Sequence, residues 1–228
     1  MKHVPLALTF DLDDTLWPIW PAIARAEAVL HRWLGEHAPA TAARFDVAGL
    51  RALRNRVAAE NPQWLHDLSA MRRESLRMAL LEAGDDGALA EPAFEVFFAE
   101  RQRVELYADV LPALQRLAAR YPLMALSNGN ADIGRIGLGE YFVAGLSARE
   151  FGFAKPDPRI FHEACRRLGV DAANVLHVGD DLAMDVHGAL AAGLQAAWVH
   201  RAADEPADPP PGASRWTELQ SLAAHLGC

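Results

Sequence analysis

The chain is short of cysteine, of long apolar runs and of positive charge, and each shortage removes a class of protein. Only Cys165 and Cys228 occur among 228 residues, which gives no disulfide framework and suits a reducing cytoplasm, the expected location. No apolar stretch approaches the roughly 20 residues that span a bilayer. The N-terminal Val4 to Phe10 run is cut short by Asp11, so neither a membrane span nor a secreted form is expected. Lys and Arg number 22 against 30 Asp and Glu, a net charge of −8, which disfavours a nucleic-acid partner. The clustered arginines Arg51-x-x-Arg54-x-Arg56 and Arg72-Arg73 read as solvated helix faces. What is present in quantity is apolar: 51% of the residues are hydrophobic, enough for one large domain or for a core with a smaller companion.

The densest information lies in Leu6-Ala7-Leu8-Thr9-Phe10-Asp11-Leu12-Asp13-Asp14-Thr15-Leu16, an apolar strand-like run that ends in three carboxylates within four positions. Such crowding needs water or a cation such as Mg²⁺. With a metal bound, Asp11 can serve as an ionised nucleophile while Asp13 shuttles a proton. The bland alternative is a strand followed by an acidic N-cap, Asp14 or Thr15, for a helix near Trp17. A second apolar run, Leu123 to Ser127, leads into Asn128-Gly129-Asn130. There the Ser127 hydroxyl and backbone N–H groups near Gly129 suit a phosphoryl oxygen, although Ser-Asn-Gly is also an ordinary turn. Lys155 stands in a loop before Pro156-Asp157-Pro158, where a lone lysine is ordinarily solvated. A third run, Val175 to Gly179, ends in Asp180-Asp181 with Asp185 beyond, and puts Asp180 where a metal at a strand end is ligated.

Taken together and in order, Asp11-x-Asp13-x-Thr15, Ser127, Lys155 and Gly179-Asp180-Asp181-x-x-x-Asp185 resemble the four motifs of the haloacid dehalogenase-like (HAD) hydrolase superfamily. The resemblance implies a Mg²⁺-dependent phosphomonoesterase working through an aspartyl-phosphate, with a small-molecule phosphate ester as its partner. It makes Asp11 the nucleophile, Asp13 the general acid and then base, and Ser127 and Lys155 phosphate ligands. It gives the metal to Asp11, the Asp13 carbonyl and Asp180, with Asp181 or Asp185 orienting water or Lys155. Thr15, Trp17, Asn128 and Gly129 are the expected substrate contacts, Trp17 by stacking on a planar leaving group. Dehalogenases of the superfamily lack the second Asp, so Asp13 argues against carbon–halogen cleavage.

Helix-like spacing fills Trp20 to about Arg103, in segments Ala22 to Leu34, Val47 to Ala59, Trp64 to Glu82 and Ala88 to Val104. Strand-like runs at Leu6 to Phe10, Leu123 to Ser127, Val175 to Gly179 and Gln195 to Val199 alternate with helices at Val110 to Arg120, Pro158 to Leu168 and Leu182 to Ala192. That alternation predicts an α/β, doubly wound, Rossmann-like parallel sheet over residues 1–16 and 107–228. The helical insertion, 17–106, resembles a C1-type cap, expected to close over the phosphate site. A proline-rich connector, Ala203 to Gly212, precedes a last helix from about Trp216 to Leu226. The Gly134-Arg135-Ile136-Gly137-Leu138-Gly139 run follows no strand in the required βα turn and is no dinucleotide fingerprint, and His177, His187 and His200 read as structural. Further candidate contacts are Trp20, Trp33, Trp64, His66, Arg72 and Arg73.

Ser127 to Ala131, Gly137 to Phe142 and Leu176 to Leu182 resemble the bacterial HAD phosphatases that act on FMN and on 5-amino-6-(5-phospho-D-ribitylamino)uracil. Phosphoglycolate or nucleotide phosphatases, a phosphotransferase or mutase, a 2-haloacid dehalogenase and a non-catalytic phosphate-binding protein stand as alternatives.

Overall fold

A computed structural model of the chain describes residues 4–201 and 208–228. It falls into two compact units, Met1–Pro18 with Glu105–Cys228, and Ile19–Val104. Residues 203–207 of the expected connector lie outside the described residues.

The helical unit consists of α1 (Ile19–His37), α2 (Pro39–Arg44), α3 (Val47–Glu60), α4 (Leu68–Ala83) and α5 (Ala90–Arg101). Ala22, Ala26, Leu30 and Leu34 recur every fourth residue on α1 and form its buried stripe. Ala26, Leu30 and Leu34 pack in one cluster with Leu76, Leu80, Phe94 and Phe97. The carboxylates of Asp46 and Asp67 accept the Gly49 and Ala70 N–H groups and start α3 and α4. Gly84, at φ 88°, ends α4 in a left-handed turn.

The arginines expected on solvated faces divide. Arg56 meets Glu82 at the surface, but Arg72 is only 9% exposed. Its guanidinium lies 3.5 Å from the Phe97 ring centre and, with Arg51 and Arg54, surrounds the buried Glu27 carboxylate. One carboxylate at i and cations at i+24, i+27 and i+45 form no local pattern, which is why spacing alone misreads them.

The α/β unit holds β1 (Ala7–Phe10), β2 (Leu123–Ser127), β3 (Ala144–Ser147), β4 (Val175–Gly179), β5 (Gln195–Val199) and β6 (Ala213–Trp216). All pairs are parallel, in the order β3-β2-β1-β4-β5-β6. The helices are α6 (Val110–Ala118), α7 (Ile133–Ile136), α8 (Ala148–Phe151), α9 (Pro158–Leu168), α10 (Gly188–Ala191) and α11 (Leu219–His225). β1, β2, β4 and β5 are buried along their whole length, as expected for strands covered on both faces.

The edge strands β3 and β6 carry no strand signal in the sequence. Ala-Gly-Leu-Ser and Ala-Ser-Arg-Trp lack a β-branched or apolar run, and their conformation comes from pairing with β2 and β5. Trp216, expected to open the last helix, pairs with Val199 instead, and α11 begins at Leu219. No helix among the described residues is long and apolar enough to cross a membrane.

Candidate active site

The strand order reverses direction at β1, whose neighbours β2 and β4 carry the chain away on opposite sides. In such sheets the crevice beyond the carboxyl ends of the strands at this switch point receives ligands. Asp11 and Asp180 directly follow β1 and β4, and Ser127 is the last residue of β2. Asp11 continues the sheet by one rung, its N–H donating to Val178 O at 2.8 Å.

Past Asp11 the chain folds on itself. Asp14 takes a left-handed φ of 60°, which Asp tolerates better than most residues. Its N–H donates to Trp17 O, and Leu16 N–H donates to Leu12 O. This turn directs the Thr15 hydroxyl to Asp180 Oδ1 at 2.8 Å and to Asp11 Oδ2 at 3.3 Å. Thr15, expected beside substrate, thus ties two carboxylates together. Trp17 is likewise placed differently from a stacking platform. It is fully buried, and its indole N–H donates to Asp13 Oδ1 at 2.9 Å, orienting that carboxylate. A ring four residues along this turn reaches back to Asp13 rather than outward.

Lys155 is 3% exposed, far from the solvated lysine of an ordinary loop. Its ammonium donates to Asp11 Oδ1 and Asp185 Oδ1, each at 2.6 Å. Asn128 holds the backbone of Lys155 from both sides, accepting its N–H at 2.7 Å and donating to its carbonyl at 2.9 Å. The Asn128 amide is therefore spent on positioning the lysine. Ser127 Oγ accepts the Gly129 N–H at 2.9 Å, which fixes the hydroxyl at the end of β2.

Asp185 arrives through an unusual turn. The helix expected from Leu182 begins as a π-helical segment, Leu182–His187, a form concentrated at functional sites. Asp181 caps it, accepting the Ala183 and Met184 N–H groups at 2.7 and 2.8 Å. Asp185 folds back against Gly179, where a Cβ would lie 2.3 Å from the Asp185 carboxyl carbon. Only glycine leaves that space. Asp185 Oδ1 also meets His177 Nε2 at 3.1 Å, and Oδ2 accepts the Asp181 N–H. Because a carboxylate only accepts, Nε2 carries the proton and His177 Nδ1 accepts from the Thr9 hydroxyl at 2.9 Å. Burial lowers the His177 pKa, so this neutral tautomer is a structural strut.

One carboxylate oxygen each from Asp11, Asp180 and Asp185 lies within 4.8 Å of the others. Burial raises Asp11 well above its ordinary pKa, opposed by Lys155 and reinforced by Asp185 and Asp180. Burial and then the Asp185 charge raise Asp180 to about 7. Burial weighs against the charged Asp185, but Lys155 and His177 outweigh it and hold that carboxyl below the usual range. Burial also opposes the Lys155 ammonium, and Asp11 and Asp185 overcome it, so its pKa is raised. Three carboxylates thus crowd a largely buried space in which the one lysine pairs with Asp11 and Asp185, and Asp180 has the Thr15 hydroxyl. An all-oxygen donor set with same-sign charge left over fits a hard metal cation. Asp185 is the most heavily engaged of the three, which leaves Asp11 and Asp180 as the better ligands.

Among the further candidate contacts, Trp20 is 64% exposed, Trp33 stacks on His37, Trp64 closes a 3-10 turn, Pro62–Trp64, and Arg73 pairs with Glu91.

The sequence matches the family of haloacid dehalogenase-like hydrolases over residues 6–193. It is 37% identical to 5-amino-6-(5-phospho-D-ribitylamino)uracil phosphatase YigB of Escherichia coli (strain K12), over 85% of this chain and 82% of that protein. It is 36% identical to phosphoserine phosphatase of Thermus thermophilus, over 81% of this chain and 70% of that one. The crystal structure of 2-haloacid dehalogenase from Pseudomonas syringae pv. Tomato DC3000 superposes with a TM-score of 0.89 at 42% identity, covering 97% of each chain.

Proposed function

The chain belongs to the haloacid dehalogenase-like hydrolases, and from that membership we propose a Mg²⁺-dependent phosphomonoesterase that works through a phosphorylated Asp11. The supporting observation is the pair of carboxylates on the turn after β1. Asp11 is held by Lys155 and Thr15, and Asp13 is oriented separately by Trp17.

In the first half-reaction an Asp11 carboxylate oxygen attacks phosphorus, the P–O bond to the alcohol breaks, and Asp13 gives its proton to the departing oxygen. In the second, Asp13 takes a proton from water as that water attacks the aspartyl-phosphate, and the P–O bond to Asp11 breaks to release phosphate. Lys155 offsets charge on the nucleophile and the phosphoryl oxygens, and the Ser127 hydroxyl donates to one of them. Asp11, the Asp13 carbonyl and Asp180 are the residues that would hold Mg²⁺, which when bound neutralises phosphoryl charge.

For substrate, the likeness to the ribitylaminouracil phosphatase favours that compound, with FMN beside it from the motif resemblance, in a reducing cytoplasm that suits the free cysteines. The 42% likeness to a protein described as a 2-haloacid dehalogenase supports a second reading. Displacement of halide from carbon needs Asp11 but gives no task to a proton donor beside the leaving group, so the oriented Asp13 favours phosphate esters.

The test is phosphate release from ribitylaminouracil phosphate, FMN, phosphoglycolate and nucleoside monophosphates, with and without Mg²⁺, beside halide release from 2-chloropropionate. Mg²⁺-dependent phosphate release with preference for the first two supports the proposal. Halide release alone would replace it with the dehalogenase reading.

A further inference from the structure

β5 bears none of the motif residues, yet two side chains at its carboxyl end reach both halves of the Thr15–Asp180 hydrogen bond. Trp198, within β5, donates its indole N–H to the backbone carbonyl of Asp180 at 2.7 Å. Arg201, two residues past the strand, donates from Nη2 and Nε to the carbonyl of Thr15 at 2.7 and 3.2 Å.

Arg201 is itself fixed by two further contacts, one of which is anchored in turn. Its Nη1 donates to Asp109 Oδ1 at 2.9 Å, its guanidinium lies 3.8 Å from the Tyr107 ring centre, and Asp109 Oδ2 accepts the Leu219 N–H that opens α11. The guanidinium therefore joins the start of α6, the start of α11 and the catalytic turn after β1. Thr15 is fully buried, so without Arg201 its carbonyl would lose a charged double donor and stand poorly paired.

From this we propose that the carboxyl end of β5 is a clamp, with Trp198 and Arg201 as positioning residues that set Thr15 against Asp180 and Asp11 and so shape the cation site. The proposal rests on the reading of Asp11 and Asp180 as cation ligands. Supports one bond removed from a ligand govern metal affinity because they fix the angle at which lone pairs face the ion, and losing one typically costs about 10–100-fold.

The experiment is Mn²⁺ titration of the purified full chain, without substrate, with free Mn²⁺ read by electron paramagnetic resonance and thermal unfolding followed in parallel without metal. Arg201→Gln and Trp198→Phe should each weaken Mn²⁺ binding by about tenfold or more. Arg201→Gln should add little in a Thr15→Val background, since both act through one hydroxyl. Should Arg201→Gln fail to fold, Arg201→Lys keeps a cation beside Asp109 but cannot donate twice to Thr15, and it decides by the same criterion. Unchanged Mn²⁺ affinity with a lowered melting temperature, or full additivity with Thr15→Val, overturns the clamp. No Mn²⁺ binding by the unsubstituted protein overturns the cation-site reading beneath it.

Discussion

Both units bury charge, in mirror-image proportions. In the helical unit one carboxylate, Glu27, is shared by Arg51, Arg54 and Arg72. In the α/β unit one ammonium, Lys155, stands among Asp11, Asp180 and Asp185. The surplus in the first is positive and is met in place, because the Arg51 and Arg54 side chains reach solvent, 41% and 26% exposed, and the Arg72 guanidinium lies on Phe97. Burial, ahead of the other two arginines, lowers the Arg72 pKa to about 9, yet the group stays charged at neutral pH. The surplus in the second is negative, borne by compact carboxylates with no such surface to rest on. A protein can leave a delocalised cation in a core as part of its packing, whereas localised anions at strand ends call for something from outside. Buried charge by itself therefore does not mark a reactive site. The sign of the excess and the means of satisfying it do.

The comparison can be broken most severely at Asp11. Asp11→Asn should reduce phosphate release at least about a thousandfold while the urea midpoint holds or rises, as one crowded anion is removed; near-normal turnover would refute the nucleophile assignment. Next is Lys155→Met, which leaves Asp11 and Asp185 without their cation and should cost about 3–5 kcal/mol in urea unfolding without metal. Saturating Mg²⁺ should recover part of that loss, and no recovery would mean that a cation does not answer this charge. In the helical unit, Glu27→Gln should cost about 1–3 kcal/mol by the same assay, with no dependence on Mg²⁺. A Mg²⁺-dependent loss there would erase the distinction between the two clusters. Phe97→Leu, which removes the face under Arg72, should cost about 1 kcal/mol.

A further test concerns pH. Asp180 in the folded, metal-free chain titrates at about 7 against an ordinary 3.8. Between those values the folded state keeps a proton that the unfolded chain has released, so this group's contribution to stability falls as pH rises through that window. The stability of wild type relative to Asp180→Asn should decline from about pH 4 to about pH 7, measured by urea midpoints in chelator. A flat or rising difference would contradict the raised pKa.

Where a function is concentrated at the end of an apolar strand, it can be read from the chain. Asp11, Ser127 and Asp180 each follow such a run, and the sheet gathers those ends at one edge. Other assignments depended on partners far away in sequence. Lys155 looks solvated until Asp11 and Asp185, 144 and 30 residues distant, close on it. The sequence suggests substrate contacts at Trp17 and Asn128 because turn geometry, which aims them at Asp13 and at the Lys155 backbone, is not encoded in residue type. Trp198 and Arg201 share with the motif residues a place at a strand end, that of β5 next to β4, but hydrogen bonds to backbone carbonyls leave no trace in composition. β3 and β6 were missed for a related reason: an edge strand borrows its conformation from its neighbour.

The order β3-β2-β1-β4-β5-β6 places the earliest strand to be synthesised in the middle of the sheet. β1 must wait for β2 at Leu123–Ser127 and β4 at Val175–Gly179 before either flank is paired. At roughly 5–20 residues per second, the interval before β2 emerges is on the order of ten seconds. During it the ribosome delivers the whole of Ile19–Val104, whose core joins residues of its own segment. On the growing chain, the segment with the static charge cluster can mature first, and the carboxylates of the candidate site are brought together later.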